Sequence, residues 1–305
     1  MTVQIDDRMP IPREIPFDFP DDIDPQWIPD KDELAAMFNG ASLTMPYLEP
    51  FLIRTMAEAA RTISDPTVKE TVRAFNAQEG QHFQTHRRFN ELLKSKRYPE
   101  LADTEAEMEA SYKRLNKKSL RLRLAYTAGF EAMTLGVTKW LIEDRTSLFH
   151  HADSRVASFV LWHMVEETEH KCVAYDAYKD LYPSGIGNYF ARAIGVLHGS
   201  FDVMRFSRRA YIKILKREGL WQSLRPRLRL YGELINFVRH VGPYLWRATL
   251  PGHNPRQERD PAWVTEWLDL YEDAPKDKAP LIDTFDPAMP VPFARPAASA
   301  TAHPA

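Results

Sequence analysis

Two short runs of the chain, Glu79-Gly80-Gln81-His82 and Glu167-Thr168-Glu169-His170, each place a Glu three residues before a His. On a helix, positions three apart lie one above the other on one face, so each pair aims a carboxylate and an imidazole at one point. Two such pairs, completed by one Glu from each of two further helices, form the ligand set of a carboxylate-bridged two-metal centre in a four-helix bundle. Glu49 and Glu131 fill the two remaining places. Glu49 stands amid Tyr47, Leu48, Phe51 and Leu52, whereas its rival Glu58 is close to Arg61 and reads as solvated. Glu131 has no basic residue within three positions, whereas Glu143 and Asp144 precede Arg145 and read as a surface pair. Iron and manganese in their divalent and trivalent states take such oxygen and nitrogen donors. Four buried glutamates alone would carry uncompensated charge, and two divalent cations offset it.

His163 lies four residues before Glu167 and seven before His170, on the same helical stripe. It reads as a third imidazole ligand on one metal, the alternative being a core histidine satisfied by a neighbour. Glu166, four residues before His170, competes with Glu167, which is preferred because it repeats the spacing of Glu79 and His82. His86, at i+4 from His82, is expected outside the ligand set, either supporting it or at the surface. Cys172 is the single cysteine; it reads as a small buried apolar side chain, excludes an internal disulfide framework and suits a reducing cytoplasm.

Long helices must position these groups. Residues 1–30, with six prolines and many aspartates, read as an extended N-terminal arm over the body. Helical periodicity then runs over about 31–62, 66–95, from Asp103-Thr104 to Glu143 with a break near Asn116, and from Ser154 to about Leu181. Tyr182-Pro183-Ser184-Gly185 is a strong stop. The expected fold is therefore all-α, an antiparallel four-helix bundle over 31–185 that carries both metals. Residues 186–275 are expected to add basic, aromatic helices, two of them at about 187–217 and 225–247. From Lys276 onward the Pro/Ala-rich composition reads as a disordered tail.

With 44% hydrophobic and 27% charged residues, the chain reads as an ordinary soluble globular protein. The N-terminus has no apolar h-region and does not read as a signal peptide, and no run of 18 apolar residues offers a membrane span. Charge is uneven: residues 201–250 carry 11 Lys/Arg against 3 Asp/Glu, so the rest of the chain is acidic. Within 187–230, Phe201, Met204, Phe206 and Tyr211 interleave with Arg205, Arg208, Arg209 and Lys213. Such a basic amphipathic helix can rest on an anionic membrane surface, which would suit a lipid-like substrate. The bland reading is a helix packed on the bundle with a solvated basic face. No nucleic-acid motif accompanies the charge, so no nucleic-acid partner is expected. The expected location is the cytoplasm, while peripheral contact with the inner membrane face and a homodimer stay open.

The set Glu49, Glu79-x-x-His82, Glu131 and Glu167-x-x-His170 resembles the ferritin-like di-iron carboxylate superfamily. With His163, its three histidines and four glutamates are similar to the site of the arylamine N-oxygenases, from which the long basic C-terminal part departs. Across nearly the whole chain, the WHMVEETEHK segment also resembles bacterial proteins known as predicted metal-dependent hydrolases. The resemblance implies a non-haem di-iron oxygenase or oxidase that uses two iron ions, O2 as co-substrate and an external electron donor or redox partner on a small organic substrate. Manganese or a mixed pair would be an alternative cofactor. Dimetal-dependent hydrolysis is the alternative activity, and a non-catalytic metal-binding protein the third.

Overall fold

In the computed structural model, residues 8–183 and 185–293 are described, and their regular structure is helical throughout. The first half holds α1 (Asp32–Ser42), α2 (Met45–Ala59), α3 (Pro66–Lys96), α4 (Leu101–Leu115), α5 (Leu120–Glu143) and α6 (Arg145–Phe149). The second half holds α7 (Ser154–His170), α8 (Val173–Leu181), α9 (Ile186–Arg217), α10 (Leu224–Thr249) and α11 (Ala262–Tyr271). Local chemistry sets the starts that matter most. The Asp65 carboxylate accepts hydrogen bonds from the backbone N–H groups of Thr67 and Val68, and Pro66 occupies the first turn of α3. Asp153 caps α7 in the same way through Arg155.

Two expected helices are divided. The segment 31–62 breaks at Leu43-Thr44, where the Thr44 hydroxyl turns back to the Ala41 carbonyl. The segment 154–181 breaks directly after His170, where buried Lys171 reaches across to Asp260 at 2.7 Å. A further helix, α11, follows the two basic ones inside the region expected to add helices. Residues 276–293 do not form the expected disordered tail. Ile282 and Met289 are fully buried, the Ile282 N–H donates to the Ser158 hydroxyl, and the His151 N–H donates to the Thr284 carbonyl. A few well-spaced apolar residues and backbone hydrogen bonds suffice to anchor an irregular segment, against its composition. Residues 294–305 of that expected tail, and 1–7 of the expected arm, lie outside the described residues.

Helix α5 is buried on nearly every side, because α2, α7 and α8 pack on part of it while α9 and α10 cover the rest. The α5–α9 crossing is tight enough to demand glycine. A Cβ on Gly195 would stand 2.0 Å from the Ala125 carbonyl oxygen, and one on Gly129 would stand 2.2 Å from the Gly195 backbone. Before α1, the chain from Arg8 runs without helix and sinks Phe17 against Phe159 and Trp162 of α7. Among the described residues, no helix is long and apolar enough to cross a membrane.

Candidate metal centre

Four helices converge on one buried point. Helix α2 brings Glu49, α3 brings Glu79 and His82, α5 brings Glu131, and α7 brings His163, Glu167 and His170. None of the seven is more than 2% exposed, so their charges are met inside the protein or not at all. They form two groups, Glu49 with His82 and His163, and Glu79 with Glu131, Glu167 and His170. Within each group, one donor atom per residue lies within 4.8 Å of all the others. The groups adjoin. His82 Nδ1 lies 3.9 Å from Glu79 Oε1 and 4.0 Å from Glu167 Oε1, while His163 Nε2 lies 3.7 Å from Glu49 Oε1 and 2.7 Å from Glu167 Oε1.

Hydrogen bonds behind the imidazoles fix which nitrogen of each ring faces the centre. Asn90 donates its amide to the Ser42 carbonyl at 3.0 Å, which turns its Oδ1 toward the Ser42 hydroxyl at 2.8 Å. That oxygen can only accept, so Ser42 donates to it and accepts in turn from His86 Nδ1 at 2.8 Å. Burial, reinforced by His163 and His82, holds His86 well below the usual imidazole range and keeps it neutral. Its Nε2 therefore accepts the proton of His163 Nδ1 at 2.8 Å, and His163 presents Nε2 to the centre. A second chain orients His170. Gln78 donates to Glu169 at 2.7 Å and to the Ile11 carbonyl at 3.0 Å, so its Oε1 accepts from His170 Nε2 at 2.9 Å and leaves Nδ1 inward. His82 offers Nε2 to Glu166 Oε2 at 3.0 Å and likewise keeps Nδ1 inward.

Arg13, from the segment before α1, closes this outer layer. Its guanidinium donates to both oxygens of Glu169, at 2.6 and 3.0 Å, and to Glu166 at 3.2 Å. Burial pushes the Glu166 carboxyl up to about 7 against the pull of Arg13, and cations in the centre would draw it down again.

The residues fit a pair of metal ions. Inward nitrogens face carboxylate oxygens at hydrogen-bond range: His163 Nε2 to Glu167 at 2.7 Å, and His170 Nδ1 to Glu79 at 2.9 Å and to Glu167 at 3.2 Å. Given the outer hydrogen bonds, each such contact sets lone pair against lone pair unless a proton or a cation lies between. Both oxygens of Glu49 and of Glu131, and His82 Nδ1, are buried with no hydrogen-bond partner. The electrostatics carry the same signature. Burial, then Glu79 and Glu167, pushes Glu49 well above the carboxylate range; burial, then Glu167, does so for Glu131. Burial works against a charge on His170, yet Glu167 and Glu79 raise it well above the imidazole range. Burial likewise opposes a charge on Glu167, yet His170 and His163 hold it low. A metal ion would replace the proton that this arrangement otherwise recruits.

All seven residues expected as ligands, five from their spacing and Glu49 and Glu131 from their surroundings, meet here. Between the two rivals on α7, Glu167 faces the centre, while Glu166 stands behind His82. His86 stands behind His163. Cys172 is buried and outside both groups. Glu58 pairs with Arg123 rather than with Arg61, and Arg145 donates to the Met289, Ala288 and Ile142 carbonyls rather than to Glu143 or Asp144. Arg13, Ser42, Gln78, Asn90 and Glu169 were not anticipated. Gln78 and Asn90 do lie on the stripe of α3 that holds His82 and His86, which is the one sequence signal that could have marked them.

No curated protein and no solved structure matches the chain. A family model described as predicted metal-dependent hydrolase does match, over residues 11–259, a stretch that includes Arg13 and every residue of the centre. The chain belongs to that family of predicted metal-dependent hydrolases.

Proposed function

We propose that the protein is a dinuclear metal-dependent hydrolase. The observation that carries this reading is the set of inward imidazole nitrogens facing buried carboxylates in two adjoining groups. Glu49, His82 and His163 would hold one ion, and Glu79, Glu131, Glu167 and His170 the other. Two such ions lower the pKa of water and supply a hydroxide nucleophile near neutral pH. The chain's own residues orient and enclose. Ser42, His86 and Gln78 fix the ring nitrogens, and Phe75 against His170 and Trp162 against His82 keep bulk water from the imidazoles. The helices α2, α3, α5 and α7 around the donors support a ferritin-like four-helix bundle over 31–185.

A second reading is favoured by the donors themselves. Four carboxylates with three imidazoles are the oxygen and nitrogen set of iron and manganese, so O2 activation at a di-iron, dimanganese or mixed centre is the competing chemistry. It would draw electrons from a redox partner. One set of measurements separates the two. The purified protein is analysed for metal, then loaded with zinc or manganese and assayed for ester and phosphoester cleavage without O2. Hydrolysis expects metal-dependent cleavage under these conditions. No cleavage, together with iron uptake and a transient near-ultraviolet band when O2 meets the Fe(II) protein, would replace it with the oxygenase.

A further inference from the structure

Helices α9 and α10 form a hairpin through the short turn Leu220–Gln222, and both pack on α5 and α1. Their inner sides are spent on that packing: Gly195, Gly199 and Val203 on α9, and Val241, Tyr244 and Ala248 on α10 are buried. Their outer sides are apolar as well. On α9, Ile186, Phe190, Ile194, Leu197, Phe201 and Met204 recur every three or four residues, and each is at least 41% exposed. On α10, Leu224, Leu228, Tyr231, Ile235 and Val238 repeat the pattern, each at least 49% exposed, and Trp246 follows two turns later at 69%. Two long stripes of bulky apolar side chains in water exceed what folding requires and mark a contact surface.

The charge beside the stripes says what the contact is. Residues 186–249 contain 12 Lys/Arg and 3 Asp/Glu. Asp202 is buried beside Arg205, Glu218 lies against Arg97, and Glu233 is half-buried. Among the described residues, exposed Arg208, Lys216, Arg217, Arg225 and Arg239 have no acidic partner. A second copy of the chain set on this face would oppose the same unpaired cations, with almost no acid to receive them. Anionic lipid headgroups would neutralise them, while the acyl boundary takes Phe190, Phe201, Trp246 and the aliphatic side chains.

We propose that the outer face of the α9–α10 hairpin docks the protein on an anionic lipid surface. Since none of the described helices is apolar enough to span, the hairpin lies in the interface with its stripes down. The proposal is independent of which reaction the metal centre performs.

Co-sedimentation of the full chain with vesicles tests it. Vesicles of phosphatidylcholine with phosphatidylserine should pellet the protein, and phosphatidylcholine alone should not. High salt should weaken the binding. Two variants act on the two halves of the surface: Arg208→Glu with Arg225→Glu on charge, and Leu197→Asp with Val238→Asp on the stripes. Each should lower binding to the anionic vesicles roughly tenfold or more, with an unchanged far-ultraviolet circular dichroism spectrum and metal content. No binding to anionic vesicles overturns the proposal, as does binding that both folded variants retain. A dimer in solution that Leu197→Asp with Val238→Asp converts to monomer, without any vesicle binding, would assign the face to a second copy instead.

Discussion

His163 and His170 each turn one ring nitrogen toward carboxylates at hydrogen-bond distance, and whatever lies between decides the charge of the whole cluster. Proton and metal compete for that position, so the groups behind the rings tune the competition. His86 is the sharpest case, because its acceptor nitrogen alone commits His163 to the inward Nε2. Replacing His86→Phe keeps a buried aromatic but removes the acceptor. Metal affinity at the Glu49–His82–His163 group should fall by about 10–100-fold, as titration against a chelator would measure. An unchanged affinity would dismiss the orienting role. At this scale the sequence was informative wherever ligands share a helix, since spacings of three and four residues are read directly. Arg13 was beyond reach, because it meets Glu166 and Glu169 only through contacts 153 and 156 residues away in the chain.

Helix α5 carries Glu131 toward the metals and is held from behind by α9, where Gly129 and Gly195 let the two backbones touch. The replacement Gly195→Ala puts a Cβ into backbone, which cannot swing away as a flexible side chain could. Overpacking of this kind costs about 1–3 kcal/mol. The urea midpoint should fall accordingly, and Glu131 should be displaced enough to lower metal content. Wild-type behaviour on both counts would mean that the crossing is looser than its geometry. Helix existence was legible from periodicity, and so was the break near Asn116. The break at Leu43-Thr44 was marked by Pro46, which lies in the first turn of α2, whereas the break after His170 contains no Gly or Pro and apolar spacing continues through it, so there local sequence carried no warning. The packing of 276–293 was hidden for the opposite reason: its composition is that of a tail, and its few anchors, Ile282, Thr284 and Met289, count only once α7 is there to receive them.

For the molecule as a whole, ions that bind the folded chain and not the unfolded one add to its stability, by about 2.7 kcal/mol at a hundredfold excess over the dissociation constant. Dialysis against a chelator should therefore lower the melting temperature, and added metal should restore it. The pH trend should reverse between the two forms. In the metal-free protein Glu49, Glu131 and His170 all bind protons more tightly when folded, so what they contribute is present at low pH and is lost as pH rises, above 4.5 for the two glutamates and above 6.5 for His170. Glu167, His82 and His86 run the other way: the contribution of Glu167 is lost only as pH falls below 4.5, and those of His82 and His86 as pH falls below 6.5, so the metal-free trend is clearest above pH 6.5. With metal bound, the same carboxylates and imidazoles must be deprotonated, so stability should instead fall as the solution is acidified from neutral. Melting curves across pH, with and without metal, would display the two opposed slopes. Parallel slopes would refute the exchange of proton for metal.

The Arg13 latch also sets an order of events. During synthesis Arg13 leaves the ribosome long before Glu166 and Glu169 exist, so the segment that carries it is among the last to find its place. Until then the outer ends of His82 and His170 are open to solvent on that side. Loosening that short stretch with Arg13→Ala should therefore speed both the loading and the release of metal, as exchange against a chelator would measure.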